Sequence, residues 1–392
     1  MKENYKRLQN IVREKNLDIL LVSGPENVFY VSDVPTSFTA ANRLLFCSRR
    51  TSPIMCVVPA EGDPALILSA GAYDVTTRHT WINDLRIYAT GTYIWRKNPL
   101  ELVGNNHVEA LTKAITEKAG GADKNFRIGI EMNDLSYANS QALKTSFPNA
   151  TFVDGLETLM LSRMIKNDEE ISRFKQANNI LCRVMKKIER AMKSKPTEWD
   201  LDIILKTSMM KEGAESWMQT TIAAGVISGP DIYNQPVQKR RLKTGDLIRL
   251  DVGCVYKGYT ADLSRTFAVG KIHPRAKKTY KVLLEAFDQH IDDFELGAPA
   301  SKINIAIVDY VKKNLDEEYF RGNVGHGVGV ELYDKPILGA EDHTPLEAGM
   351  TMSYEVPYHI SGLGGLNIED SVLMTKKGKQ IVSKYDREII VV

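Results

Sequence analysis

Acidic residues interrupt apolar stretches in the C-terminal half of this chain, and their spacing indicates metal-dependent chemistry. Asp251 lies in the apolar run 247–252, and Asp262 follows it across a turn. An unpaired buried carboxylate costs a large free energy, and two facing carboxylates repel each other unless a cation or a shared proton lies between them. A hard divalent ion would satisfy both groups. Taken alone, this segment is equally compatible with solvent-exposed acids or with an ion pair to Arg265.

Later segments add further ligand types for such an ion. His326 lies among glycines in the stretch 325–329, where a compact backbone lets a ligand approach closely, although a histidine in this setting can also be structural. Glu355 and Glu369 interrupt two more apolar runs. Four carboxylates and one imidazole suit Mn²⁺, Fe²⁺, Co²⁺ or Zn²⁺, and they are too many for one small ion. Two divalent metal ions are therefore expected.

Two predicted domains supply the elements that position these side chains. Helical and strand patterns alternate in residues 1–163, which favours an α/β domain. From residue 168 a long amphipathic helix begins, and Gly-rich turns then join strands and helices, which favours an α+β domain with a curved sheet over residues 164–392. Strands are predicted at 19–22, 54–58, 65–68, 85–88, 126–130, 220–224, 246–252 and 264–269. Further helices are predicted at 4–14, 102–119, 198–212, 275–294 and 300–315.

The chain resembles the family of creatinase, prolidase and aminopeptidase P. Besides the acidic segments and the histidine, the residues that carry the resemblance are Arg163, Ile165, Lys166, Glu170, Ala224, Gly225, Ser228, Gly229, Pro230, Lys243, Gly245 and Asp246. The resemblance covers nearly the whole chain. It implies a creatinase-like α/β N-terminal domain followed by an α+β C-terminal domain with the pita-bread fold.

The same resemblance implies a role for each metal-ligating residue. The two ions would be bound by Asp251, Asp262, His326, Glu355 and Glu369. Asp262 and Glu369 would bridge the ions, and Glu355 would act as general base toward a bound water. Two-metal sites lower the pKa of a bridging water, so hydroxide becomes available near neutral pH.

Three positions depart from the peptidase pattern of that family. Asn234 and Tyr333 stand where the peptidases have histidines, and Asn367 replaces an arginine two residues before the last ligand. In the family, those histidines contact the scissile carbonyl and the proline-bearing part of the substrate. Each lost donor weakens stabilisation of a tetrahedral intermediate by roughly 3–4 kcal/mol. Because all five ligands are intact, the replacements favour a changed substrate over a loss of catalysis.

Neighbouring residues are predicted to take over these contacts. Tyr333 and the adjacent Asp334 are candidate catalytic residues beside Glu355, because a phenol can replace an imidazole as a hydrogen-bond donor. The candidate substrate-binding residues are Asn234, Tyr333, His359 and Trp95. Family resemblance also implies a homodimer in which the N-terminal domain of one chain reaches over the active site of the other. The aromatic loop with Trp95 is a candidate for this contact.

Three functions are compatible with this pattern. The leading hypothesis is a metal-dependent hydrolase resembling Xaa-Pro dipeptidase or aminopeptidase P, in which a bridging water attacks the carbonyl of a small amide or dipeptide. A second is a non-peptidase of the same fold, either a lyase of the dimethylsulfoniopropionate type or a C–N hydrolase like creatinase or ectoine hydrolase. The third is a catalytically silent peptide-binding module. Metal analysis separates the third from the others, and a comparison of Xaa-Pro peptides with small zwitterions separates the first two.

The composition of the chain limits its expected partners and cellular location. The chain has 51 Lys plus Arg and 49 Asp plus Glu, interspersed along its length, so nucleic acid is not an expected partner. No run of about 18 apolar residues occurs, and residues 1–13 lack the apolar core of a signal peptide. A cytoplasmic protein without a membrane segment is therefore predicted. The cysteines lack metal or redox spacing and are expected to be reduced thiols: Cys47, Cys56, Cys182 and Cys254.

Overall fold

The computed structural model describes residues 2–35, 52–89, 100–229 and 237–392. Two predicted substrate-binding residues, Asn234 and Trp95, lie outside these ranges. None of the helices within them has the length and apolar character that a membrane span needs. The chain divides into two compact units, Met1–Arg163 and Met164–Val392.

The N-terminal unit contains a mixed sheet flanked by helices. Its strands are β1 (Ile19–Val22), β2 (Met55–Pro59), β3 (Ala65–Ser69), β4 (Asp84–Tyr88), β5 (Arg127–Ile130) and β6 (Thr151–Asp154). The helices of this part of the chain are α1 (Lys2–Glu14), α2 (Pro25–Ser32), α3 (Tyr73–Thr76), α4 (His107–Ala119), α5 (Tyr137–Ser146) and α6 (Leu156–Met164). Within the described residues, the strand order is β4-β3-β2-β1-β5-β6. Strand β1 is buried throughout, as its uninterrupted apolar run predicts.

Helix α4 begins later than the sequence pattern predicted. Its first residue is His107, whereas the pattern placed the start at residue 102. The Asn106 side chain accepts a hydrogen bond from the Glu109 backbone and caps the helix at that point. Gly104 lies between the predicted start and the observed start of this helix. It is so close to the first turn that a Cβ on Gly104 would be 2.8 Å from Glu109 Cβ. Because of this cap and this close approach, the helix begins at His107 and does not include residues 102–106.

The C-terminal unit is larger and is built on a second sheet. Its helices are α7 (Asp168–Met192), α8 (Glu198–Lys211), α9 (Pro274–His290) and α10 (Ala300–Asn314). Its strands are β7 (Ser216–Ala224), β8 (Leu247–Tyr256), β9 (Tyr259–Ala268), β10 (Gly325–Gly327), β11 (Asp334–Ile337), β12 (Thr351–Glu355), β13 (Tyr358–Ile360), β14 (Gly364–Leu366), β15 (Glu369–Thr375), β16 (Gly378–Ile381) and β17 (Ile390–Val391). The sheet order among the described residues is β11-β10-β12-β15-β9-β8-β7, with β16 paired to β15 and β17 paired to β9.

Strands β8 and β9 are buried on both faces. One face joins the apolar cluster that α7 and α8 share, through Ile248, Leu250, Val252, Ala261 and Leu263. The other face carries Arg249, Asp251, Asp262, Ser264 and Thr266, because successive residues of a strand point to opposite sides. Arg265 consequently points away from Asp262 and donates to Asp370 at 2.6 Å. The ion pair that Arg265 forms is thus on the opposite side of β9 from Asp262.

Candidate metal centre

Strand register brings the predicted acidic ligands to one face of the C-terminal sheet. Asp251 lies opposite Ser264, Glu369 also lies opposite Ser264, and Glu355 lies opposite Glu369. Directly opposed residues share a face, as do residues two apart on one strand. Asp262 is two residues from Ser264, so it shares this face as well. Acids from strands far apart in the sequence therefore meet on the buried polar face.

His326 reaches the same face from β10. It lies opposite Ser353 on β12, and Ser353 is two residues before Glu355. The His326 Nδ1–H donates to the carbonyl of Gly327 at 3.0 Å, which leaves the Nε2 lone pair available for a metal. Burial lowers the pKa of His326, which favours the neutral, ligating form.

Two glycines allow β10 to lie between its neighbours. A Cβ on Gly325, whose φ is +143°, would lie 2.1 Å from the carbonyl oxygen of Ser353. A Cβ on Gly327 would lie 2.2 Å from the carbonyl oxygen of Lys335. Real Cβ atoms do not approach backbone so closely, so glycine is required at both positions. The glycine-rich setting of His326 is therefore explained by close strand packing around the imidazole.

Three of the five predicted ligands form a compact group, here called the inner triad: Asp262, His326 and Glu369. Their ligand atoms all lie within 4.8 Å of one another, and all three side chains are buried. Ser353 Oγ donates to Glu369 Oε1. In the described part of the chain, Asp262 Oδ1 and Glu369 Oε2 have no hydrogen-bond partner. Buried oxygens without donors are costly, so a cation between them would fit the donor set.

Electrostatics support the same conclusion. Burial, followed by the charges of Asp251 and Glu355, raises the pKa of Asp262 well above its usual range. Burial, followed by the charges of Asp262 and Asp251, does the same to the pKa of Glu369. Both shifts arise because negative charges are crowded together without water. A bound cation would remove this penalty and hold both carboxylates ionised.

The other two predicted ligands, here called the outer acids, are Asp251 and Glu355, and each contacts a cation of the chain. Arg249 Nη2 lies 2.8 Å from Asp251 Oδ2. Arg321 Nη2 donates to Glu355 Oε1 at 3.2 Å, and Asn367 Nδ2 donates to Glu355 Oε2 at 3.1 Å. Both oxygens of Glu355 are therefore engaged. The inner triad and the outer acids differ in how their charge is satisfied.

Comparison with known proteins identifies the family. Residues 172–376 match "Metallopeptidase family M24", and residues 5–165 match "Creatinase/Prolidase N-terminal domain". This chain belongs to metallopeptidase family M24. The predicted family, the creatinase-like N-terminal domain and the pita-bread C-terminal domain are thereby confirmed.

Individual relatives of this M24 chain extend the comparison. An Xaa-Pro dipeptidase of Pyrococcus horikoshii is 30% identical over 67% of this chain and 74% of its own length. The solved Xaa-Pro dipeptidase from Bacillus anthracis covers 100% of this chain and 99% of its own, at a TM-score of 0.81 and 24% identity. The N-terminal domain of the FACT complex subunit SPT16 from chickpea (Cicer arietinum) covers 98% of this chain and 96% of its own, at a TM-score of 0.72 and 16% identity. These two structural likenesses concern the fold alone.

Tyr333 lies directly against the inner triad of this M24 chain. Its ring stacks on the His326 imidazole, with centroids 3.8 Å apart and planes inclined by 27°. The residue is 51% exposed, so one side of the phenol is open to solvent. Burial and the nearby acids, Glu355 first among them, raise the pKa of Tyr333, which keeps its hydroxyl protonated. The phenol is therefore a hydrogen-bond donor beside the candidate metal centre.

The remaining predicted site residues have different surroundings. Asp334 is fully buried on β11, and its Oδ2 lies 3.4 Å from Lys166 Nζ. His359 is half-buried, and burial together with Arg249 and Arg321 lowers its pKa to about 4. A neutral imidazole beside two guanidinium groups acts at neutral pH as a hydrogen-bonding group without charge. The catalytic role of Asp334 and the substrate role of His359 stay predictions.

Residue-pattern reasoning missed two arginines and one serine of this M24 site. Arg249 is two residues before Asp251, and Ser353 is two residues before Glu355, so each shares a strand face with an acid. That spacing was a signal available in the sequence. Arg321 lies in the segment between α10 and β10, and no local pattern connects it with Glu355.

Proposed function

We propose that this chain is a metal-dependent hydrolase that cleaves an amide or peptide bond in a small substrate of the Xaa-Pro dipeptide type. The observation that carries this proposal is the inner triad, in which Asp262 Oδ1 and Glu369 Oε2 have no hydrogen-bond partner among the described residues while a neutral imidazole lies beside them. Membership of a metallopeptidase family and the similarity to named Xaa-Pro dipeptidases support the same reaction class.

The donor chemistry fits a divalent ion, which we propose to be Mn²⁺, Fe²⁺, Co²⁺ or Zn²⁺. When bound, such an ion acts as a Lewis acid and activates water. Asp262, His326 and Glu369 would hold the first ion. The family resemblance assigns Asp251 to a second ion, but in this chain the Asp251 carboxylate already contacts the Arg249 guanidinium at 2.8 Å.

The residues of the chain supply proton transfer and orientation. Glu355 is proposed as the general base, since the donors Arg321 and Asn367 hold both of its oxygens in a defined direction. Ser353 donates to Glu369 and fixes the orientation of that carboxylate. Tyr333 is proposed to donate a hydrogen bond to the oxygen that gains negative charge in the transition state.

A non-peptidase of the same fold is the second candidate function. Asn367 occupies the position of the family arginine, and its amide is committed to Glu355. Tyr333 replaces a family histidine beside the inner triad. These two replacements favour a substrate other than an ordinary Xaa-Pro dipeptide. Homodimer formation and the cytoplasmic location stay predictions.

Metal content and product analysis test the proposed function. Purified protein is stripped with a chelator, reloaded separately with each of the four ions, and assayed on Ala-Pro, an Xaa-Pro-Xaa tripeptide, small betaines and guanidino acids. In H₂¹⁸O, hydrolysis of a peptide or amide places the heavy isotope in the new carboxylate and hydrolysis of a guanidino acid places it in the urea oxygen, whereas a lyase releases an alkene without incorporating it. Less than one equivalent of bound metal, with no turnover of any substrate, would contradict the proposal and favour the binding module.

The Tyr333→Phe variant is expected to lower kcat/KM about 100–1000-fold while metal content stays unchanged, because it removes the phenol and keeps the stack on His326. Steady-state kinetics with the best substrate and elemental analysis measure the two quantities. Tyr137→Phe, at a tyrosine that is 79% exposed in the N-terminal unit, is the matched control. Unchanged kcat/KM in Tyr333→Phe would rule out the donor role.

A further inference from the structure

A buried arginine, Arg249, lies beside Asp251, the acid that the family resemblance assigns to a second ion. Arg249 and Asp251 are two residues apart on β8, so both side chains point to the polar face that carries the inner triad. Their side chains are only 4% and 3% exposed, and the guanidinium Nη2 lies 2.8 Å from the carboxylate Oδ2. Water screens such a pair far less than it screens an ion pair at the surface.

Charge is satisfied unequally across the site. In the described part of the chain, the inner triad retains carboxylate oxygens without donors, at Asp262 Oδ1 and Glu369 Oε2. Each of the outer acids instead contacts a guanidinium, Arg249 for Asp251 and Arg321 for Glu355. The inner triad therefore has carboxylate oxygens that can bind a cation, whereas Asp251 already forms an ion pair with Arg249.

The total charge leads to the same asymmetry. Among the described residues, the four carboxylates of the site would be balanced by one divalent ion together with the two guanidinium groups. A second divalent ion would leave two positive charges in excess within a buried site. Uncompensated charge is strongly unfavourable where the effective dielectric constant is low. A second ion therefore has to displace Arg249 from Asp251 or be repelled by it.

We propose that Arg249 takes the place of the second cation, so that this chain binds one divalent ion tightly, in the inner triad. This inference rests on the proposed function, since it concerns the same metal centre. Asp251 then serves as the counter-ion of Arg249 and does not act as a tight metal ligand. The guanidinium stays on the polar face of the sheet, where its positive charge disfavours a second divalent ion.

Metal stoichiometry tests the inference without reference to activity. Wild-type protein and the Arg249→Leu variant are stripped, titrated with Mn²⁺ by calorimetry, dialysed and analysed for bound metal. We expect one tight equivalent in the wild type and two in Arg249→Leu, with affinity for the second ion raised at least about tenfold because a like charge has been removed. Arg241→Leu is the control for loss of one positive charge, since Arg241 is exposed and bonds to the Lys195 carbonyl.

Two more variants keep the test decisive if Arg249→Leu folds poorly. Arg249→Lys retains a cation and is expected to bind one equivalent. The double variant Arg249→Leu/Asp251→Asn lacks both partners of the ion pair and is also expected to bind one. Two tight equivalents in the wild type, with one lost on Asp251→Asn, would overturn the inference and leave the proposed function standing. No tight equivalent in the wild type would overturn both.

Discussion

Glu369→Gln is expected to abolish hydrolysis and, at the same time, to stabilise the metal-free protein. Glu369 belongs to the inner triad, so activity should fall at least roughly a thousandfold, because several kcal/mol of transition-state stabilisation depend on the bound ion. In the absence of metal, however, Glu369 and Asp262 repel each other in a buried setting. A neutral amide removes this repulsion, and it can still accept the hydrogen bond of Ser353 Oγ.

The opposite signs of the two effects make this prediction specific. The melting temperature of the metal-free variant should rise on the order of 3 °C above metal-free wild type, since about 1 kcal/mol shifts the melting temperature of a domain this size by a few degrees. Added Mn²⁺ should stabilise the wild type and leave the variant unchanged. Calorimetric melting and steady-state assays give both numbers, and Glu341→Gln, at an exposed glutamate, is the control. A metal-free variant that melts below wild type would contradict the repulsion argument.

Chelation is expected to destabilise the protein more at pH 8 than at pH 5.5. The folded-state pKa values of Asp262 and Glu369 are raised well above those of an unfolded chain, which are about 4. Between about pH 4 and the raised folded values, the folded protein binds more protons than the unfolded one. Stability of the metal-free protein therefore falls as the pH rises through this window. Bound metal keeps both carboxylates ionised and paired, so the metal-loaded protein escapes this loss.

The measurement is the difference in melting temperature between metal-loaded and metal-free protein across this pH range. We expect the difference to grow by on the order of 5 °C between pH 5.5 and pH 8. Other groups titrate in the same range, so Asp262→Asn/Glu369→Gln serves as the reference in which the growth should disappear. A difference that shrinks with rising pH, or that persists in the double variant, would show that these two carboxylates are not the source.

Much of the fold could be predicted because local pattern and tertiary packing agree in its elements. Strand β1 is a short apolar run buried on both faces, and the structure has it at the predicted residues. The long helix α7 begins where Asn167 and Glu170 form a reciprocal cap, again as the acidic start of the pattern indicated. The predicted helix α4 began five residues too early. The prediction used apolar periodicity, which does not detect the Asn106 cap or the close approach of Gly104 to the first turn.

Residue pattern alone was enough to propose candidate metal ligands. An acid in an apolar strand needs a partner wherever that strand packs, so Asp262 and Glu369 stood out before any neighbour was known. Glycines on both sides of His326 likewise indicated that other backbone segments lie close to this strand. These signals depend on the cost of burying a group, which each residue carries with it.

How charge is shared among these candidate ligands depends on their neighbours in the folded sheet. The register of β9, β15, β12 and β10 brings the inner triad together, and Arg249 contacts Asp251 on the same face of β8. Arg321 approaches Glu355 from a separate segment of the chain. A carboxylate can be satisfied by a metal ion or by a guanidinium, and its own position in the sequence does not distinguish them. The difference depends on which side chains the sheet places within a few ångströms, since electrostatic interactions fall with distance and rise with burial.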